Sequence, residues 1–199
     1  MLKPYLYRNM TEAGCDEAGR GALAGPVVAA AVILPKRYRN ELIDDSKKLT
    51  PGLRETLRYE IMEAALSWYV AFVDNNEIDS MNILRATIKA MHCALDNLDP
   101  KPEFIIVDGN SFFKYGDIPH KTIIDGDAQY MSIAAASILA KTFRDEYMVK
   151  IHQEYPAYGW DTNKGYATAR HRQAIRENGF TPYHRRSFNL LDAQMIIDF

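Results

Sequence analysis

Residues 12–34 constrain the fold of this chain most strongly, because they end in a long apolar segment whose environment is easy to predict. Residues 27–34 are apolar throughout, and Pro35 follows directly. Such a run is typical of a strand that is buried on both of its faces. The sequence therefore predicts an α/β protein in which both faces of the sheet are covered at this strand.

The same stretch begins with an acidic pair, Asp16-Glu17, and a turn that contains Gly19, Arg20 and Gly21. Neighbouring strand residues point to opposite faces, so the two carboxylates serve one site only if the strand ends or bulges there. The glycines supply that freedom and let a ligand approach the backbone closely. One interpretation is a divalent-metal site beside a phosphate-binding turn. The other is an acidic strand end followed by a solvated turn.

Length and composition limit the class of protein. The chain has 199 residues, 47% of them apolar, which suits one globular domain with a sizeable core. Its two cysteines, Cys15 and Cys93, predict no disulfide framework and favour a reducing compartment. The N-terminus lacks the apolar segment of a signal peptide, and no stretch is apolar enough to span a membrane. We therefore expect a cytoplasmic protein with no membrane contact.

Hydrophobic periodicity predicts alternating strands and helices along the chain. One helix is expected to begin at Thr50-Pro51, where an N-cap residue precedes proline. Residues 75–80 are expected to form a loop. Strands are predicted at 11–16, 27–34, 67–74, 104–107 and 121–124, and further helices at 82–98 and 129–153.

Three predicted strands end in carboxylates: Asp16-Glu17, Asp108, and the pair Asp125 and Asp127. If these strands are neighbours, about four acids gather at one edge of the sheet and repel one another unless cations bind there. Ligation by oxygen alone suits Mg²⁺ or Mn²⁺. Two such ions can activate water and stabilise the leaving oxygen of a phosphodiester. The alternative is that each acid merely ends a strand near solvent.

The charge of the chain is unevenly distributed. Its formal net charge is −2, but residues 164–186 carry six basic side chains against one acid, Glu177, a local charge of +5. Such a segment suits contacts with nucleic-acid phosphates, and Tyr166 could stack on a sugar or base. A solvated amphipathic helix is the alternative. The six basic residues are Lys164, Arg170, Arg172, Arg176, Arg185 and Arg186.

Taken together, the motifs resemble those of bacterial ribonuclease HII. They follow one another in order from about residue 11 to residue 188, and seven in sequence are highly specific. The motifs are Asp-Glu-Ala-Gly-Arg-Gly at 16–21, Asp-Ser-Lys-Lys-Leu at 45–49, Ile-Val-Asp-Gly at 106–109, Gly-Asp at 126–127, Ala-Ala-Ser-Ile-Leu-Ala-Lys at 135–141, Lys-Gly-Tyr at 164–166 and His-Arg-Arg-Ser-Phe at 184–188.

The resemblance implies a ribonuclease H-like fold: a mixed central sheet flanked by helices, with a C-terminal helical portion that covers the substrate. The expected division is a catalytic core at 1–155 and a substrate-binding portion at 156–199, packed on the same domain. The implied activity is an endonuclease that cuts the RNA strand of RNA/DNA hybrids. It also cuts on the 5′ side of single ribonucleotides in duplex DNA, leaving a 3′-hydroxyl and a 5′-phosphate.

The resemblance also implies roles for individual residues. The four acids of the family correspond to Asp16, Glu17, Asp108 and Asp127, which would bind two Mg²⁺ or Mn²⁺ ions with the substrate present. The backbone of the Gly-Arg-Gly turn would sense the ribose 2′-hydroxyl, which distinguishes RNA from DNA. The expected substrate contacts are Gly19, Arg20, Gly21, Ser46, Lys47, Lys164, Tyr166, Arg185 and Arg186.

The C-terminal residues 194–199 place a glutamine, an aliphatic residue and an aromatic residue at the spacing of short peptides that dock on bacterial sliding clamps. This tail is either a clamp-binding peptide or an apolar segment that packs on its own domain. Two alternatives to the whole interpretation stay open. One is another ribonuclease H-fold nuclease, such as a resolvase. The other is a hybrid-binding module without catalysis.

Overall fold

The computed structural model describes residues 2–43, 46 and 49–190, and within them five strands form one mixed sheet. The first three strands along the sheet pair antiparallel, and the remaining neighbours pair parallel. The strands are β1 (Glu12–Ala18), β2 (Val27–Ile33), β3 (Ser67–Val73), β4 (Phe104–Asp108) and β5 (His120–Ile123). Their order across the sheet is β3-β2-β1-β4-β5.

Helices cover both faces of this sheet. Two 3₁₀ turns, Gly126–Ala128 and Pro156–Tyr158, lie on either side of the longest helix. No helix in the described part of the chain is long and apolar enough to cross a membrane. The helices are α1 (Pro51–Ala64), α2 (Asn75–Met81), α3 (Ile83–Asp96), α4 (Met131–His152), α5 (Trp160–Asn163) and α6 (Ala169–Asn178).

Strand β2 is buried along its whole length, as its unbroken apolar sequence predicts. Val27 and Ala29 face the core formed with α3, whereas Ala30 and Val32 face the core formed with α1 and α4. Alternation along the strand thus gives each helical layer its own set of contacts. The prediction of a sheet covered on both sides is confirmed.

Helix α4 lies unusually close to β1. A Cβ atom at Gly14 would lie 2.3 Å from the carbonyl carbon of Ser132 and 2.5 Å from the backbone nitrogen of Ile133. Small residues on the facing side of the helix, such as Ala134 and Ala135, are fully buried. This close approach brings the following turns of α4 over the end of β1.

The predicted loop at 75–80 is wrong, because these residues form helix α2. Asp74 caps the helix by accepting a hydrogen bond from the backbone N–H of Glu77. Ile78 is fully buried, and the Asn75 side chain donates to the carbonyl of Pro182. Tertiary contacts therefore stabilise a seven-residue helix that is too short and too polar to show clear periodicity.

The residues that follow position 156 pack on the loop between β1 and β2. The backbone N–H of Leu23 donates to the Gly165 carbonyl at 2.7 Å, and that of Gly25 donates to the Tyr183 carbonyl at 2.9 Å. Trp160 is completely buried in the core between these segments. The predicted division at residue 156 remains a prediction.

The Gly14 contact predicts a specific loss of stability. Gly14→Ala places a methyl group inside the backbone of α4, so we expect the free energy of unfolding to fall by about 2 kcal/mol. Urea denaturation measures this change. Gly52→Ala is the control, because a Cβ there meets nothing within 4 Å. Equal stability of Gly14→Ala and the unchanged protein would contradict the close packing.

Candidate active site

Three of the predicted acids, Asp16, Glu17 and Asp108, line one cavity of about 260 Å³ at the end of the sheet. The parallel pairing of β1 with β4 ends at the pair formed by Cys15 and Val107. The next residue of each strand is a carboxylate, so the two strand ends bring Asp16 and Asp108 together. The cavity is also lined by Ala18, Gly19, Arg20, Gly21, Ser46, Ser137, Lys141 and Tyr166.

Asp16 lies at the centre of this arrangement and is only 5% exposed. One of its oxygens accepts the backbone N–H of Glu17 at 2.7 Å, and the Ser137 hydroxyl lines the same cavity. Burial raises the pKa of Asp16 well above its ordinary value, and the charges of Glu17 and Asp108 raise it further. A bound cation would offset both effects, so the donor set fits a divalent metal ion.

Glu17 reaches the same cavity although it follows Asp16 directly. Strand β1 continues to Ala18 on its β2 side, but its β4 side is unpaired beyond Cys15. On its β4 side, the pairing of β1 therefore ends before Asp16, as the sequence analysis required for Asp16 and Glu17 to serve one site. The Glu17 carboxylate also pairs with the Arg20 guanidinium at 3.2 Å.

Asp127 does not line this cavity. It is buried in the 3₁₀ turn Gly126–Ala128, directly after Gly126, whose N–H donates to an Asp108 oxygen at 2.7 Å. Among the described residues, no three His, Cys, Asp or Glu side chains already have the spacing of a metal site. The fit to metal therefore depends on Asp16 and its two charged neighbours, and Asp127 adjoins them through Asp108.

The turn at Gly19 forms one wall of the cavity. Its carbonyl accepts the N–H of Ala22 at 3.3 Å, and the φ angle of Gly19 is +91°. A Cβ atom at this position would lie 1.9 Å from Nε of Arg144. Glycine is thus required here both by the backbone conformation and by the buried guanidinium beneath it.

Tyr166 also lines the cavity and is 37% exposed. The Arg144 guanidinium carbon lies 5.4 Å from the centre of its ring. The backbone carbonyl of Tyr166 accepts a hydrogen bond from His171 at 2.9 Å. Contacts with Arg144 and His171 therefore hold Tyr166 in place, while its ring remains accessible from the cavity.

Ser46 lies at the edge of the cavity, where its hydroxyl hydrogen-bonds to that of Ser137 at 3.0 Å. The Arg54 side chain donates to the Ser46 carbonyl at 2.7 Å. Lys47, the predicted phosphate contact beside it, lies outside the described residues.

The other predicted substrate contacts lie elsewhere. Lys164 lines a neighbouring cavity and donates to the Asp161 carbonyl. Arg186 is exposed, near Phe180. Arg185 is completely buried and donates to the carbonyls of Gly25 and Arg20. Its guanidinium therefore cannot contact a substrate as predicted, because it is already committed to the protein backbone.

Sequence analysis assigned no individual role to Ser137 and interpreted Lys141 and Arg144 as surface charges of the long helix, with a role in the site left open for one of the two. These three polar residues lie at positions i, i+4 and i+7 of α4 and therefore share one face of the helix. Ser137 and Lys141 line the cavity, and Lys141 also pairs with Asp145 at 2.6 Å. A polar stripe within an alanine-rich, buried helix is the signal that could have identified them.

Two buried histidines support the Tyr166 segment. The N–H of Trp160 donates to Nε2 of His171 at 3.0 Å, which makes Nδ1 of His171 the donor to the Tyr166 carbonyl. Nδ1 of His184 accepts the N–H of Thr181 at 2.9 Å, so its Nε2 donates to Nε2 of His171 at 3.3 Å. These hydrogen bonds require both rings to be neutral.

Comparison with known proteins gives a consistent result. The family model described as ribonuclease HII matches residues 13–191. Ribonuclease HII of Bacteroides thetaiotaomicron is 59% identical over 200 residues, which cover 100% of both chains.

Solved structures show the same fold. Ribonuclease H2 of Pyrococcus horikoshii superposes with a TM-score of 0.76 at 30% identity, covering 90% of this chain and 94% of that one. Ribonuclease HII from the PCNA complex of Archaeoglobus fulgidus superposes with a TM-score of 0.77 at 25% identity, covering 94% and 98%. The expected ribonuclease H-like fold is confirmed.

The neutral histidine pair predicts an acid-dependent loss of stability. Burial lowers the pKa of His184 from 6.5 to about 4, and burial also lowers that of His171. Between these pH values the unfolded chain binds more protons than the folded one, so stability falls as the pH falls from about 6.5 to about 4. We expect His184 to contribute about 2 kcal/mol to this loss.

Urea denaturation at several pH values from about 7 to about 4 measures the effect. The variant His184→Asn should be less stable at neutral pH but lose less stability on acidification. An identical pH slope in both proteins would contradict the role assigned to His184.

Proposed function

This chain belongs to the ribonuclease HII family and is a type 2 ribonuclease H, and we propose that it cuts on the 5′ side of ribonucleotides embedded in duplex DNA. In RNA/DNA hybrids it would cut the RNA strand. Both reactions would leave a 3′-hydroxyl and a 5′-phosphate.

The observation that carries this proposal is that Asp16, Glu17 and Asp108 share one cavity with the Gly19–Gly21 turn. Asp16 and Asp108 would hold Mg²⁺ or Mn²⁺, with Glu17 and Asp127 completing the ligands when substrate is bound. The chemistry that two such ions supply is activation of the attacking water and stabilisation of the leaving 3′-oxygen.

The remaining cavity residues would orient the substrate. The backbone of the Gly19–Gly21 turn would contact the ribose 2′-hydroxyl, the group by which RNA differs from DNA. Tyr166 would stack on the adjoining sugar, because it lines the same cavity as the turn and is partly exposed. Phosphates of the same strand would contact Ser46 and Lys47.

Farther from the acids, the positively charged side chains of Lys164 and Arg186 would contact phosphates of the nucleic-acid backbone. We assign Arg185 no direct contact, because it is buried. The proposed role of residues 156–199 as the substrate-covering portion rests on Tyr166 and Lys164.

Another ribonuclease H-fold nuclease would share the acidic cluster, but its function would not require the Gly-Arg-Gly turn and Tyr166 in the same cavity. A hybrid-binding module without catalysis would bind substrate but show no metal-dependent cleavage. We also propose that the enzyme acts in the cytoplasm, where bacterial DNA and reducing conditions for Cys15 and Cys93 coincide.

The tail at 194–199 supports a further proposed contact, with a sliding clamp. The Archaeoglobus fulgidus protein was solved as a complex with PCNA, and this tail has the spacing of a clamp-binding peptide. The tail lies outside the described residues. If binding to the bacterial clamp survives removal of residues 194–199, the tail is not the docking peptide.

Cleavage of a labelled DNA duplex that contains one ribonucleotide tests the proposed function. We expect one cut, on the 5′ side of the ribonucleotide, in Mg²⁺ or Mn²⁺ and none in EDTA. Asp16→Asn should reduce kcat by about a thousandfold, since it removes a ligand that holds the metal.

Asp125→Asn is the matched control. Asp125 is an exposed acid two residues before Asp127, and it does not line the cavity. The φ angle of Asp125 is positive, a conformation that asparagine also adopts. We expect it to retain full activity. Cleavage by Asp16→Asn within a few-fold of the unchanged enzyme would overturn the assignment of the site.

A further inference from the structure

Two arginines, Arg144 and Arg185, are completely buried beneath the Gly19–Gly21 turn. Neither forms an ion pair within the described residues; both donate hydrogen bonds to backbone carbonyls instead. Four of the five accepting carbonyls lie in the loop between β1 and β2, and the fifth, that of Lys164, lies in the segment that leads to Tyr166. The pair thus connects the Gly19–Gly21 turn to the Tyr166 segment.

Arg185 holds the turn itself. Its Nη1 donates to the carbonyl of Arg20 at 2.9 Å, and its Nε donates to the carbonyl of Gly25 at 2.9 Å. These two bonds fix both ends of the segment that joins the turn to β2.

The bond to Arg20 determines the direction of the next amide. In a planar trans peptide the N–H points away from the C=O, so an Arg20 carbonyl directed at Arg185 turns the Gly21 N–H to the other side. Gly21 lines the cavity with Asp16 and Asp108. Within the described part of the chain, no hydrogen-bond acceptor contacts the Gly21 N–H. A donor is therefore available on the cavity side of the turn.

Arg144 supports the same turn from a second direction. It donates to the carbonyls of Ala24, Pro26 and Lys164 at 3.2, 3.0 and 2.9 Å. Because its guanidinium also lies 5.4 Å from the centre of the Tyr166 ring, it links the turn to Tyr166.

This arrangement is costly in free energy. Burial lowers the pKa of Arg185 to about 9, and the charge of Arg144 adds to this effect, yet Arg185 stays protonated at neutral pH. Its Nη2 is buried without a hydrogen-bond partner among the described residues. An apolar side chain of similar length would avoid both costs, as replacements of buried charges often do. What Arg185 provides and an apolar residue cannot is the orientation of the Arg20 carbonyl.

We propose that Arg185 is a positioning residue for ribose recognition, which holds the Arg20–Gly21 peptide so that its N–H faces the ribose of the substrate. The inference rests on the proposed function, because it assigns a cause to the discrimination made by that site. The charge of the guanidinium also strengthens the hydrogen bond to the Arg20 carbonyl and polarises the peptide toward donation.

The test compares catalysis at a ribonucleotide with binding of DNA alone. Single-turnover cleavage is measured on the duplex with one ribonucleotide, and affinity is measured in Ca²⁺ for the all-DNA duplex of the same sequence. Arg185→Met should lower the cleavage rate at least tenfold, because it misaligns the Gly21 donor without removing it, and removal of a preorganised donor costs about a hundredfold or more. Its affinity for all-DNA duplex should stay within about twofold, because phosphate contacts are unchanged.

Arg185→Lys serves as a second variant, in case Arg185→Met fails to fold. Lysine keeps the charge but cannot hold the two carbonyls in the planar geometry of arginine, so we expect an intermediate cleavage rate. Arg39→Met is the matched control, since Arg39 also donates to two backbone carbonyls, those of Lys36 and Tyr38, and does not line the cavity. It should cleave at the unchanged rate.

Two results would overturn the proposal. One is cleavage by Arg185→Met within about twofold of the unchanged enzyme, and the other is an equal loss of cleavage and all-DNA binding. Failure of the unchanged enzyme to cut the ribonucleotide duplex would instead reject the proposed function, so the two failures are distinguishable.

Discussion

The parallel pairing of β1 with β4 is the interaction on which the site depends. Its last pair joins Cys15 to Val107, and the next residues are Asp16 and Asp108. Neighbouring strands lie about 4.8 Å apart, so the register alone sets two carboxylates side by side at the edge of the sheet. A shift by one residue would turn one of them into the opposite face of the sheet.

Helix α4 converts this strand edge into a cavity. Its close contact with Gly14 carries the polar face of the helix past the end of β1. Ser137 then lines the cavity with Asp16, and Arg144 fills the space beneath Gly19. The same helix therefore supports both the acids and the turn, whereas the C-terminal segment supplies Arg185 and Tyr166. The site is thus assembled from β1 with its following turn, β4, α4 and the C-terminal segment, which are distant from one another in sequence.

Much of the fold and of the site could be predicted from the sequence. The remaining features could not, and the reasons are physical. The apolar run of β2 and the acids after β1 and β4 are local patterns, so the sheet and the acidic edge could be predicted. Asp127 could be chosen over Asp125 only through the family resemblance. Arg185 was misjudged because a basic residue in a basic segment looks exposed, and its burial depends on carbonyls about 160 positions away. Helix α2 was not predicted because contacts with residues distant in sequence, such as the hydrogen bond from Asn75 to Pro182, stabilise it.

The central claim is that the strand-end carboxylates bind the catalytic ions around the substrate phosphate. Anomalous scattering from Mn²⁺ in crystals of the enzyme with an uncleavable ribonucleotide duplex tests it most directly. The account predicts Mn²⁺ peaks in this cavity, held by Asp16 and Asp108, beside the phosphate on the 5′ side of the ribonucleotide. Peaks confined to other acids, or a phosphate that lies outside this cavity, would contradict it.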